Sequence, residues 1–475
     1  MSLSIAATLA PVVGALIASL VGKASIRRIA RLAFALAAAG TSIAALGQLD
    51  ALARIFAVLV AVLGAVATVY SAGAFAPQWE SADVAWSKKA SYFNLLGLFW
   101  SAMTLVVFSD NFLSLWIGIA ITTLATTFLV GFAGDAASLE AAWKYLVLCS
   151  LGMSLALFGI ILLGRAAIEA GIAPDSALAW SSLRAHGAGL DVALVRLAVA
   201  VAMIGFATKA GLAPMHAWLP DAHSKAPAPI SALLSGVLVS CALYAVMRLE
   251  SVAAVTGSLD FARTLLLCLG AASTIVAGTL MLVQRELKRL LAYSTVEHVG
   301  IIALALGFGG PLGALAAIIH VSNHAFAKAT GFLAAGALQS SNGTTKLSAL
   351  TGLWQSRDGR SLVYAAAALA GLPPFGLFAS ELLMVLAGVA AHQWIALSFG
   401  VGGIALAFTA LARATINAAS GSASPSAAGS SPHRTPLMVS SSVAATLALA
   451  AGASIVPWTA AGGALMAAAA VLSGP

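Results

Sequence analysis

Residues 204–236, IGFATKAGLAPMHAWLPDAHSKAPAPISALLSG, decide how the chain is read. Lys209 stands inside an apolar run and is followed at once by Gly211 and Pro214. His216, Asp221, His223 and three further prolines come next, and then the sequence turns apolar again. In a water-soluble protein such a stretch would be an ordinary loop, but the composition excludes that setting. Hydrophobic residues make up 61% of the 475, charged residues only 8%, and the mean hydropathy is +1.00. Soluble domains carry roughly 25% charged residues, so too little polar surface exists to cover a body in water. The chain reads as a polytopic membrane protein. At membrane depth, broken backbone is tolerated only where it is buried in protein or lines water. Lys209 is therefore either a lysine snorkelling from a helix end or a group lining an internal pathway. Its place more than half-way along its apolar run favours the second.

A helix needs about 20 apolar residues to cross the hydrocarbon. Windows of that size predict an all-α architecture with spans near 3–22, 29–48, 51–70, 91–109, 112–132, 143–163, 193–215, 230–249, 262–283, 291–308, 313–338, 362–391, 394–412 and 437–458, fourteen in all. The tail 460–473 is apolar but short and stays outside the count. The first apolar stretch has no basic residue before it, so it is expected to be a true span and not a cleaved leader. The longest connections expected are 164–192, 339–361 and 413–436, and the last, with AASGSASPSAAGSS across its start, reads as a flexible linker.

The net charge of +8 comes from basic residues in short loops, which points to membrane orientation and away from nucleic acid. With both termini outside, sixteen Lys and Arg fall on the cytoplasmic side and six on the outer side, and Lys209 and Lys328 fall within spans. Cys149, Cys241 and Cys268 are isolated within apolar segments, so they read as small core hydrophobes and not as iron–sulfur or zinc ligands.

Ionisable residues inside spans are costly and mark function by default. Of the sixteen acids only Glu297 and Glu381 lie well within expected spans, joined by Lys209, Lys328, His298, His320 and His324. His320, His324 and Lys328 recur every four residues, which places them on one helical face about 6 Å apart along the axis. That spacing suits groups bridged by water. A metal site, which would use the two histidines, lacks a third ligand nearby, and plain helix–helix hydrogen bonding is the bland alternative. Glu381 follows LAGLPPFGLFAS, where Pro373 and Pro374 interrupt the helix as Pro214 interrupts the earlier one. KAGLAPMHAW and LAGLPPFGLF are weakly alike, and matching Gly/Pro interruptions in two halves of a chain are the mark of inverted-repeat transporters. The expected organisation is three N-terminal helices (1–90), five-span repeats over 91–249 and 262–412, the linker 413–436, and a last span with its tail (437–475). Glu297 and His298, in LLAYSTVEHVGI, are placed to pass protons between the bulk and the interior.

Four motifs in order carry a resemblance: APMHAWLPDAHSKAPAPISALLSG, ELKRLLAYSTVEHVG, IHVSNHAFAKA and GLPPFGLFASE. Together, over about 90–415, they resemble the antiporter-like, proton-translocating subunits shared by complex I, the multisubunit cation/proton antiporters and the energy-converting hydrogenases. ITTLATTFLVGF, LEAAWKYLVLCSLG and STVEHVG look most like the hydrogenase-4 and formate-hydrogenlyase type. The resemblance implies a fourteen-helix bundle with two inverted five-helix repeats and broken seventh and twelfth helices. It implies that Lys209 is the seventh-helix proton carrier, that Lys328 or its histidine neighbours form the central relay, and that Glu381 is the terminal ionisable group. It implies no cofactor in this chain, a peripheral redox module and further membrane subunits as partners, and a bacterial inner-membrane location.

Two positions depart from the family pattern. The fifth-helix glutamate that would pair with the seventh-helix lysine is replaced in SLWIGIAITTLATTF by Ala120, and no acid lies between Asp110 and Asp135. The eighth-helix position held by lysine or histidine in some members is a serine, either Ser235 or Ser240. Two unit charges 4 Å apart attract by about 4 kcal/mol at an effective dielectric of 20, and Lys209 loses that support. The expectation is a proton-conducting subunit of a redox complex, impaired or altered in its first half. Its rivals are a cation/proton antiporter subunit, a structural membrane anchor, and a membrane partner in an inorganic-carbon uptake complex. No phosphate loop, nucleophile–base pair or quinone or flavin motif supports an enzyme acting alone.

Overall fold

The computed structural model describes residues 3–21, 24–74, 86–420 and 462–473. Among these, the regular structure is helical: α1 (Leu3–Leu20), α2 (Ala24–Ala44), α3 (Ala51–Ala74), α4 (Trp86–Phe108), α5 (Phe112–Val130), α6 (Ala136–Glu169), α7 (Trp180–Ala185), α8 (Val192–Ala210), α9 (Trp218–Lys225), α10 (Ala228–Leu233), α11 (Val239–Val255), α12 (Leu259–Leu282), α13 (Leu287–Phe308), α14 (Gly310–Asn342), α15 (Arg357–Leu369), α16 (Gly376–Ala390), α17 (Trp394–Ala419) and α18 (Gly462–Ser473). Every expected span from 3–22 to 394–412 is met by one helix or by a helix pair. The span 437–458 lies outside the described residues, as does 421–436 of the linker. Eleven described segments are long and apolar enough to cross a bilayer. The chain is an integral membrane protein.

Two sequence expectations need correction. The connection 164–192 is largely folded: α6 runs on to Glu169, and α7 and a 3-10 turn at Gly187–Gly189 follow. The linker does not begin at 413, because α17 continues to Ala419. The short apolar tail, left outside the span count, forms α18, which is too short to cross a membrane and has Ala468 and Leu472 buried against the bundle.

The two interruptions are built alike. At the end of α8, Gly211 takes φ +83°, and Leu212 N donates to Ala207 O at 3.0 Å before Pro214. At the end of α15, Gly371 takes φ +65°, and Leu372 N donates to Ala367 O at 3.2 Å before Pro373 and Pro374. Both are left-handed glycine closures in which an i→i−5 bond satisfies an otherwise orphaned helical carbonyl. The proline then removes the donor that would continue the helix.

Close backbone contact sets which helices meet. A side chain at Gly159 would strike Ala198 and Ala202 of α8, and one at Gly205 would strike Gly152 and Ala156 of α6. Small residues at this seam let α6 and α8 touch, as they do where lipid removes the hydrophobic drive for association. The seam carries Tyr145 of α6 to Lys209 of α8.

The two ends of the bundle differ. At one end Asp221 pairs with Lys144 (3.4 Å) and Arg289 (3.0 Å), and the backbone of Glu286 bridges that of Lys346. At the other, the buried Arg248 pairs with Asp50 (2.6 Å), and Arg263 pairs with Glu250 (3.5 Å). The basic residues assigned to one side by charge asymmetry thus meet one another in space. Cys149 and Cys241 are buried, whereas Cys268 is exposed on the outside of α12. A small hydrophobe gains little from the protein core when lipid is the alternative, so the inference of a core role fails there.

Candidate functional site

Lys209 is fully buried at the end of α8. Its Nζ donates to Thr123 Oγ1 of α5 at 2.7 Å and to the Tyr145 hydroxyl of α6 at 2.6 Å. Tyr145 in turn lies 2.5 Å from Thr126 Oγ1, whose hydroxyl also meets the Thr122 carbonyl at 2.6 Å. No described carboxylate forms an ion pair with Lys209. Ala120, partly buried, sits one turn before Thr123 on the same helix, a separation that shares a face. The lysine therefore rests among hydroxyls. Trp218 of α9 closes the break by donating its indole N–H to Thr208 O at 2.9 Å, and its ring lies 5.0 Å from that of Tyr145.

From there α9 leads inward. The sequence reads His216, Asp221 and His223 as a cytoplasmic loop after the broken helix, but His223 is buried on α9, because that segment folds as a helix against α14. Its Nδ1 is 2.8 Å from Leu219 O, and its ring stands 6.0 Å from Trp218 and 5.8 Å from Phe332 of α14. Its Nε2 has no hydrogen-bond partner among the described residues, and Lys328 and His324 lie within electrostatic reach. His216 and Asp221 are placed otherwise. His216 is half-buried on the turn Met215–Ala217, which joins the break to α9. Asp221 belongs to the surface clamp with Lys144 and Arg289.

The largest cluster forms where α13, α14 and α16 meet. Lys328 Nζ donates to Leu291 O at 2.9 Å and to Ser294 Oγ. Ser294 is followed on α13 by Thr295, which bonds Ser235 Oγ at 2.7 Å. Ser235 lies in a π-helical turn, Leu234–Leu238, within the eighth span, and such turns accompany functional sites. Ser240 bonds its own helix through Gly236 O, so Ser235 is the serine that reaches the interior. One turn further along α13, Glu297 and His298 are buried. His298 Nδ1 is 3.0 Å from His320 Nε2, and His320 Nδ1 is 2.9 Å from Ser380 Oγ on α16. His324 lies beside both, its ring tilted to His298 with centroids 5.2 Å apart and stacked on His320 at 6.5 Å. Glu381 folds back so that its carboxylate lies against Gly371 of the break, and it stands within electrostatic reach of Glu297.

All three four-residue repeats of α14 thus face the interior and one connected cluster. Among the described residues the buried Nδ1 and Nε2 of His324 have no hydrogen-bond partner, and Glu297 Oε2 has none either, although it lies 3.6 Å from His298 Nδ1. Buried polar atoms of this kind are usually satisfied by internal water. Sequence reasoning missed Thr123, Thr126, Tyr145, Ser294 and Ser380, because hydroxyl side chains are common in spans and ordinarily bond their own helix. It also missed Arg248, which donates to Tyr244 at 2.9 Å and lies 4.8 Å from the Trp180 ring.

Comparison with known proteins places this geometry. Residues 109–407 match the family model described as NADH:quinone oxidoreductase/Mrp antiporter, TM. The chain is 37% identical over 358 residues to the hydrogenase-4 component F homolog of Methylacidiphilum infernorum, covering 74% of this chain and 75% of that one. It is 30% identical over 350 residues to NADH-quinone oxidoreductase subunit N of Desulforudis audaxviator, covering 73% and 67%. Its fold matches a chain of the membrane-bound sulfane sulfur reductase, an archaeal respiratory membrane complex, with a TM-score of 0.84 at 22% identity, covering 99% of this chain and 97% of that chain.

Proposed function

The chain belongs to the NADH:quinone oxidoreductase/Mrp antiporter transmembrane family, and from that premise we propose that it is the proton-conducting membrane subunit of a redox-driven complex of respiratory or hydrogenase type. The observation that carries the reading is the buried polar line itself. Hydroxyls surround Lys209 beside the first helix break, His223 packs against Phe332 of α14, and Lys328, Glu297, His298 and His320 gather near the second break, against which Glu381 lies. Charges are too costly in lipid to be held there without purpose. Water between such groups would let protons pass by hops of hydrogen-bonding length.

Lys209 is the carrier of the first half and Lys328 with the histidines that of the second, with Glu381 at the far end. The halves, 91–249 and 262–412, are inverted repeats, each with one broken helix. The basic side, with Lys144, Arg289 and Lys346, faces the cytoplasm of a bacterial cell, following the lysine and arginine asymmetry. A peripheral redox module supplies the energy, and other membrane subunits flank the chain.

The test is purification in mild detergent followed by reconstitution. Co-purification of a hydrogenase or quinone-reducing module, with donor-dependent proton movement lost in Lys328→Ala, supports the proposal. Transport driven by a sodium or proton gradient alone, with no electron donor, would establish an antiporter subunit instead. A second reading, a subunit whose first half no longer pumps, is favoured by one specific observation: the hydrogen-bond partners of Lys209 are neutral hydroxyls. It is tested by Ala120→Glu together with Lys209→Ala. If the first leaves transport unchanged while the second abolishes it, the ion pair is dispensable and that reading fails.

A further inference from the structure

A cleft of about 460 Å³ opens at the basic end of the bundle, between the end of α12, the start of α13, the turn Leu347–Ala349 and the last turns of α17. Its size falls within the roughly 300–1,000 Å³ typical of ligand pockets. The lining divides by chemistry. Met281, Leu290 and Ala410 form an apolar floor, while Arg285, Arg413 and Asn417 stand at the polar side. Arg413 and Asn417 are four residues apart on α17 and so share a face. Ala410, on that face too, leaves the floor open. Neither guanidinium is hydrogen-bonded or ion-paired within the described residues, and both are exposed.

Two unpaired arginines over an apolar floor, at the ends of membrane helices, are what an anionic phospholipid needs. The phosphate meets the guanidinium forks, which suit its geometry, and the acyl chains lie on Met281 and Ala410 below. We propose that this cleft is a binding site for an anionic diacyl phospholipid, held by Arg285 and Arg413. The site is separate from the buried polar line and does not depend on it. Basic pockets between helices at the cytoplasmic level bind such headgroups by the same physics.

The experiment is native mass spectrometry of the delipidated full chain in mild detergent. It is titrated separately with dioleoyl phosphatidylglycerol, dioleoyl phosphatidylcholine and inorganic phosphate. Phosphatidylglycerol is expected to be retained in preference to phosphatidylcholine. Arg285→Gln and Arg413→Gln should each weaken it by about fivefold, the contribution of one basic residue near an anionic headgroup. Ala410→Phe, which fills the floor while keeping both arginines, should also weaken it, and inorganic phosphate should not displace it. Arg357→Gln, an exposed arginine outside the cleft, should leave it unchanged. The proposal is overturned if both lipids bind alike, if the double arginine variant keeps its preference, if Arg357→Gln weakens binding as much, or if inorganic phosphate competes fully. The last result would mark an anion site with no role for the acyl chains. All three arginines are exposed, so their replacement leaves the packed interior intact.

Discussion

Lys209 is held by hydroxyls, and this decides how its charge is supported. A threonine and a tyrosine satisfy the ammonium by hydrogen bonding but contribute no opposing charge. Removing the Tyr145 hydroxyl with Tyr145→Phe deletes a bond to a charged group, worth about 1.5–3 kcal/mol. Proton conduction through the first half should fall by about one to two orders of magnitude, measured as the initial rate of pH change in proteoliposomes. Thr123→Val should act in the same direction. If both variants conduct as the parent does, Lys209 does not depend on its cage. The ionisable members of this site were legible in the sequence because lipid makes such residues rare, so every Lys, His and Glu within a span stands out. Thr123, Tyr145 and Ser380 were not legible. Hydroxyls are common in membrane helices, where they return a bond to their own backbone, as Thr123 also does to Ile119 O at 3.1 Å. Only the packing of α5 and α6 against α8, and of α16 against α14, reveals which of them turn inward.

At the scale of the element, the two helix breaks carry the design. Gly371 combines a left-handed backbone with direct contact to the Glu381 carboxylate. Gly371→Ala therefore adds about 1–2 kcal/mol of backbone strain and pushes that carboxylate aside. It should lower the thermal unfolding midpoint and also reduce transport. Gly134 provides the control: its φ is +80° and a methyl there would touch nothing within 4 Å. Gly134→Ala should lower stability by a similar amount and leave transport unchanged. Equal loss of transport in both would show that Gly371 matters only for stability. The small-residue seam makes a second element-scale prediction. Gly159→Leu would separate α6 from α8, so Tyr145 should lose Lys209, and the unfolding midpoint should fall by several degrees or the helices should fail to assemble.

Gly/Pro interruptions are strong punctuation, and both breaks were readable from sequence. The fold of 164–192, the extension of α17 to Ala419 and the docking of α18 were not. Hydropathy counts residues against a bilayer thickness and is blind to helices that continue beyond it or pack without crossing it. Cys268 failed for a related reason, since apolar composition does not separate a lipid-facing side from a buried one.

At the scale of the whole molecule, the fold buries Lys209 on α8 and the ionisable groups of α13 and α14 in one interior, with the ring of His223 packed between Trp218 and Phe332. Periodicity put His320, His324 and Lys328 on one face of α14. Their partners on α13 and α16 are remote in sequence, and only the meeting of three helices defines them. The central claim is that protons move through this interior while electrons move elsewhere. The most direct measurement is the number of protons translocated per electron by the co-purified complex in proteoliposomes, compared between the parent and Lys328→Ala. The variant is expected to continue oxidising its donor while the proton yield per electron drops. An unchanged yield with Lys328 gone would contradict the claim.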